Sequence, residues 1–130
     1  MLSLISFFLA ILVTGGQFHA LSADLISTNG TEICGLSQMP HYKYYHTQSG
    51  LTACGGYGSD PEGQSCLKFQ SGSWITLTDN LVFERRYHSS WITPDGDILL
   101  IGGRGSPTTT EIVYQNGTSI RSFDLKYDTR

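Results

Sequence analysis

The stretch GDILLIGG, Gly96–Gly103, decides the fold because the chain contains it twice in outline. Its counterpart is SGLTACGG, Ser49–Gly56, whose final glycine stands 47 residues earlier. Each is a strand-like apolar run that stops on a glycine pair. A glycine pair at a strand end lets neighbouring backbone approach closely and permits dihedrals that a Cβ forbids. Upstream, both copies begin with Tyr-His and a small hydroxyl residue: YHTQSGLTACGG lies against YHSSWITPDGDILLIGG. The second copy is five residues longer, and the extra length falls beside TPDG, Thr93–Gly96, a strong turn sequence.

The match continues downstream. Cys66 and Val113 each stand ten residues after the last glycine of their copy. Then come SCLKFQ-SG-SWITL and EIVYQ-NG-TSIRSFDL, two β-rich segments joined in each case by a turn containing Gly. Two-residue hairpin loops at Ser71-Gly72 and Asn116-Gly117 are expected, with Phe69 opposite Trp74 and Val113 facing Ile120. Each unit therefore reads as an antiparallel meander: a strand from about Tyr45 or Tyr87, a buried strand ending in Gly-Gly, then a hairpin. Four strands at a period of about 40–50 residues are the signature of a β-propeller blade. No stretch outside the N-terminal apolar run has convincing helical periodicity.

The repeat accounts for two of the three cysteines, Cys34, Cys54 and Cys66. Cys54 aligns with Ile101 and Cys66 with Val113. If the apolar pair touches across adjacent strands, the cysteine pair does too, which predicts a Cys54–Cys66 disulfide. Cys34 is then left without an intrachain partner.

Composition and targeting signals place the chain. One domain at most fits 130 residues. The formal net charge of −3 implies neither a nucleic-acid partner nor a polybasic membrane surface. Residues 1–23 carry no Lys, Arg, Asp or Glu and contain LISFFLAILV, Leu4–Val13. That run is shorter than the roughly 20 apolar residues a bilayer needs. Followed by TGG and ALSA, it reads as a secretory signal peptide, although no Lys or Arg precedes the apolar core. Two NGT triplets, at Asn29 and Asn116, match the N-glycosylation acceptor pattern and suit the same compartment. The expected organisation is a leader at 1–23, a lead-in at 24–40, and blade-like units at 41–86 and 87–130. Localisation is expected to be extracellular, without a membrane anchor after cleavage.

These residues resemble kelch repeats of the kind that build galactose-oxidase-type β-propellers. The resemblance rests on LTACGG and ILLIGG as second strands, SGSW carrying the Trp of a later strand, and ERRYHSSW, Glu84–Trp91, before the second unit. More narrowly, the chain is similar to secreted invertebrate kelch-type proteins with Cys before the glycine pair. The likeness runs from about Cys34 to Arg130. It implies structural roles for Gly55, Gly56, Trp74, Arg86, His88, Gly102 and Gly103. The first unit departs from the pattern, having KYYH, Lys43–His46, where an arginine is expected; the second lacks the later Trp and has Phe123 nearby. Propellers have about 4–8 blades, whereas two are read here. The expectation is an incomplete propeller, the first part of a longer protein, with an open sheet edge able to self-associate. A truncated product or a ring of short chains are the alternatives.

The function expected from the resemblance is non-catalytic binding of an extracellular protein or glycan. The loops after the glycine pairs, Tyr57–Gln64 and Arg104–Thr109, are the candidate contact surface: Tyr57, Gly58, Asp60, Arg104, Ser106 and Thr108. A copper radical oxidase is the enzyme alternative, since HYKYYH gathers His41 and His46 with Tyr42, Tyr44 and Tyr45. Two blades cannot surround such a site, and the recurrence of His46 as His88 points to structural hydrogen bonding. Glu84, Arg85 and Arg86 read as a solvated edge or an inter-blade salt bridge. No cofactor or metal is implied, and no zinc spacing or nucleophile elbow appears.

Overall fold

A computed structural model describes residues 10–14, 23–27, 32–35, 37–40, 43–58 and 63–127. The predicted His41, Tyr42, Asn29 and Asp60 lie outside them. The protein is all-β, built on two four-stranded antiparallel sheets, with no helix among the described residues. The first sheet comprises β5 (Thr47–Ser49), β6 (Thr52–Cys54), β8 (Cys66–Gln70) and β9 (Ser73–Thr78), paired in that order. The second comprises β10 (Ser89–Ile92), β11 (Ile98–Ile101), β12 (Thr109–Val113) and β13 (Ser119–Asp124), again in meander order. A short ladder joins β4 (Lys43–Tyr44) to β7 (Tyr57–Gly58). Three further strands, β1 (Ala10–Thr14), β2 (Ala23–Ser27) and β3 (Glu32–Gly35), form a separate antiparallel sheet, with Cys34 opposite Leu25. Thus β1 lies within the residues expected to be a leader.

The two large sheets pack face to face. Cys54 and Cys66 of the first bury themselves with Ile98, Leu100 and Val113 of the second, and Leu81 of the connecting segment joins them. The opposite face of the first sheet buries Ala53 and Leu67 with Met39 and the half-buried Trp74. Each fully buried Leu or Val contributes about 1.5–3 kcal/mol. Cys54 and Cys66 pair directly across β6 and β8 and form the expected disulfide, closing a separation of 12 residues. A loop of that size stabilises by roughly 3 kcal/mol in the chain-entropy treatment.

The disulfide is correct, but the alignment that led to it is shifted. Ile101 pairs with Thr110, and Val113 pairs with Ile98. The segment from the glycine pair to the third strand is three residues shorter in the second sheet, so Thr110 is the counterpart of Cys66. The second hairpin also differs from expectation. The Tyr114 carbonyl accepts from Gly117 N–H, and Tyr114 N–H donates to the Thr118 carbonyl, giving a three-residue loop rather than two. Only Gly117 of that loop has positive φ, at 87°. An Asn-Gly type I′ turn would need both residues there. Val113 consequently faces Ser119, and Ile120 faces Ile112. In the first hairpin Ser71 and Gly72 both take positive φ, 52° and 82°, and Phe69 sits opposite Trp74 as expected.

Candidate functional site

The Tyr-His repeat builds the junction between sheets. Tyr45 and Tyr87, at equivalent positions, both hold left-handed backbone, φ 56° and 54°. Their rings stack with centroids 4.2 Å apart, and Tyr87 N–H donates to the Tyr45 carbonyl at 3.1 Å. The following histidines turn inward. His88 Nε2 lies 2.7 Å from the Thr47 hydroxyl, and His46 Nε2 lies 2.8 Å from the Thr14 hydroxyl. His46 Nδ1–H donates to the Lys43 carbonyl at 3.0 Å. Burial lowers the pKa of both imidazoles, and that of His88 falls to about 3, with the charges of Arg85, His46 and Lys43 pushing the same way. Both are accordingly neutral hydrogen-bonding groups. Among the described residues, no three His, Cys, Asp or Glu side chains gather as metal ligands do.

Two positions upstream, the repeat hides a second correspondence. Arg85 is fully buried rather than at a solvated edge. Its guanidinium donates to the Gly102 carbonyl at 2.9 Å, the Thr109 carbonyl at 3.0 Å and the Thr109 hydroxyl at 2.8 Å. Lys43, equally buried, donates to the Gly55 carbonyl at 3.0 Å, the Ser65 carbonyl at 3.1 Å and the Ser65 hydroxyl at 2.8 Å. Gly55 corresponds to Gly102 and Ser65 to Thr109, so the two cations do the same work in successive sheets. The arginine missing from the first unit is replaced by Lys43. Arg85 also pairs with the buried Glu111 carboxylate, its Nε 3.3 Å from Oε2. That carboxylate accepts from Val82 and Phe83 N–H and from the Ser119 hydroxyl as well. Burial lowers the Arg85 pKa, and Glu111 opposes that shift.

With these buried groups engaged, the exposed chemistry collects at the glycine-pair end of the sheets. Arg86 and Arg104 face each other in an isolated antiparallel bridge, with Arg104 N–H donating to the Arg86 carbonyl at 2.8 Å. The Arg86 guanidinium lies over the Tyr57 ring, 5.3 Å from its centroid. Tyr87, Arg104, Gly105 and Pro107 line a cleft of about 710 Å³. Tyr45, Tyr57 and Tyr87 are 41%, 41% and 54% exposed. The Tyr87 phenol pKa is raised, chiefly by its hydrogen bond to Tyr45, against the opposing charges of Arg86 and Arg104.

Of the predicted contact residues, Tyr57, Arg104 and Thr108 are exposed, and Gly58 of β7 pairs with Lys43 of β4. Ser106 is buried, its carbonyl accepting from the Thr109 hydroxyl and N–H, because the tight turn folds it under the loop. Asn116 is exposed in its hairpin loop. Tyr45 and Tyr87 were not among the predicted contacts, although their recurrence in front of the inward-turning histidines is legible. Compared with protein-family models and with curated proteins, the sequence matches none.

Proposed function

We propose that the chain is a secreted, kelch-type β-propeller segment whose work is non-catalytic binding through the exposed face around Tyr57, Tyr87 and Arg104. One observation carries this reading. The buried ionisable groups Lys43, Arg85, Glu111, His46 and His88 are engaged in holding the sheets, while Tyr57, Tyr87 and Arg104 present exposed aromatic and cationic side chains at one end. Tyr and Arg are the side chains most enriched where protein surfaces bind tightly. The twofold meander, the glycine pairs and the internal Lys/Arg correspondence support the kelch assignment. Removal of a leader at residues 1–23 takes β1 away and with it the Thr14 hydroxyl beside His46.

The test is retention of extracellular proteins and glycans on an array by the secreted protein and by a Tyr57→Ala/Tyr87→Ala/Arg104→Gln variant. The variant should still melt cooperatively, a few degrees lower for the loss of the Tyr45–Tyr87 stack, and lose the retained ligands. Equal retention by both proteins would remove this face from the binding role. Sequencing the N-terminus of the secreted protein tests the leader, and finding Met1 there would defeat it.

A further inference from the structure

The cleft has a chemistry narrower than general stickiness. Its walls are an exposed phenol ring, a proline ring and the backbone of Gly105, with the Arg104 guanidinium at the side. Arg86 is close enough for its charge, like that of Arg104, to bear on the Tyr87 phenol. Neither guanidinium is in an ion pair among the described residues. Among the described residues, the arginines paired with carboxylates are elsewhere, Arg85 with Glu111 and Arg121 with Asp124. Two uncompensated cations beside one cleft raise the local concentration of anions. A volume of about 710 Å³ lies within the roughly 300–1,000 Å³ range of small-ligand sites. A protein–protein interface would instead be a broad face with several anchors.

We infer that this cleft takes an anionic saccharide, a pyranose ring bearing a carboxylate or sulfate ester. The ring packs against Tyr87 and Pro107, and the anionic oxygens take hydrogen bonds from Arg104, while Arg86, stacked over Tyr57, adds its charge nearby. Guanidinium is suited to both anions because its planar N–H fork matches two oxygens at once. The phenol hydroxyl of Tyr87, linked to Tyr45, supplies a further polar contact for ring hydroxyls. This inference rests on the reading of the same face as the binding surface.

The experiment measures binding of the secreted protein to three immobilised probes at physiological ionic strength. These are a sulfated, uronate-containing tetrasaccharide, its desulfated and carboxyl-reduced form, and a tetraglutamate peptide. The charged saccharide should bind, the neutral one should not, and the peptide should bind at least about tenfold more weakly. Arg104→Gln and Tyr87→Ala should each weaken saccharide binding about tenfold or more. Raising salt should weaken it further, as expected for exposed charges. Equal binding of the neutral saccharide or of the peptide, lost in the variants, overturns the saccharide inference and leaves the face as a binding surface. Binding that ignores Arg104 and Tyr87 overturns both. Retention of none of the probes overturns the saccharide inference alone. A cooperative melting transition confirms that the variants fold, with Tyr87→Ala a few degrees below the parent for the loss of its stack on Tyr45.

Discussion

At the scale of single residues, the buried cations separate what stabilises from what is merely present. Arg85 and Glu111 are both fully buried, and a buried pair gains little over an apolar pair of similar volume, yet breaking it is costly. Arg85→Met, which strands the Glu111 carboxylate, should destabilise by about 3–5 kcal/mol in urea denaturation. Leu67 occupies the Glu111 position in the first sheet, so an apolar side chain is accommodated at that place in the fold. Adding Glu111→Leu to Arg85→Met should therefore recover part of the loss; a double variant less stable than the single one would show that the carboxylate is not the liability. His88 gives a pH prediction with a defined sign. It stays neutral in the fold down to about 3, while in the unfolded chain it protonates near its ordinary 6.5. The unfolded state thus binds the extra proton between those values, and stability falls as pH drops through that window. His88→Gln should show a smaller drop in melting temperature between pH 7 and 4.5 than the parent; an equal drop would place the acid sensitivity elsewhere.

At the scale of elements, the glycine pairs explain themselves through what they touch. A Cβ on Gly55 would lie 2.6 Å from the His88 ring and 2.7 Å from the Arg85 carbonyl, at φ +65°. Gly56 N–H donates to that same carbonyl at 2.7 Å, so the corner of the first sheet is the seat of the second sheet's Tyr-His turn. Gly55→Ala should cost about 3 kcal/mol or more, because rigid backbone cannot yield. Gly72 also has positive φ, but its Cβ would meet nothing within 4 Å. Gly72→Ala should cost only the left-handed backbone penalty, about 1–2 kcal/mol. Thermal denaturation of the two variants checks the contrast, and comparable losses would show that packing at the corner is not the reason for the glycine. Strand order, the glycine corners and the disulfide were legible because they depend on local pattern and on a repeat that recurs in sequence. Register was less so. Gaps of three residues after the glycine pair and one in the Asn116 hairpin are invisible when Val113 and Thr110 are equally acceptable on a strand. The burial of Arg85 rather than Arg86 was hidden for a similar reason, since adjacent arginines differ only in which way the bridge to Arg104 turns them.

At the scale of the whole molecule, the stacking of the sheets is directional, and it leaves one face to be accounted for. The face of the first sheet that carries Cys54 and Cys66 is covered by the second sheet. The equivalent face of the second sheet carries their counterparts Ile101 and Thr110, and with them a row across all four strands: Trp91 opposite Leu99, Leu99 opposite Ile112, Ile112 opposite Ile120. Trp91 and Ile120, at the two ends of the row, are 55% and 44% exposed. A contiguous apolar row rimmed by polar residues marks an interaction surface, and the internal precedent says what fits it: another sheet of the same kind. In a solution of this chain, the available sheets are those of a second copy, so association should rise with protein concentration. Trp91→Glu with Ile120→Lys removes the ends of the row without entering the core between the sheets. Sedimentation velocity should show the parent associating and the variant monomeric, with melting temperatures measured at low concentration differing by only a few degrees. A parent that stays monomeric at high concentration, or a variant that associates equally, would mean that this face is not where copies meet.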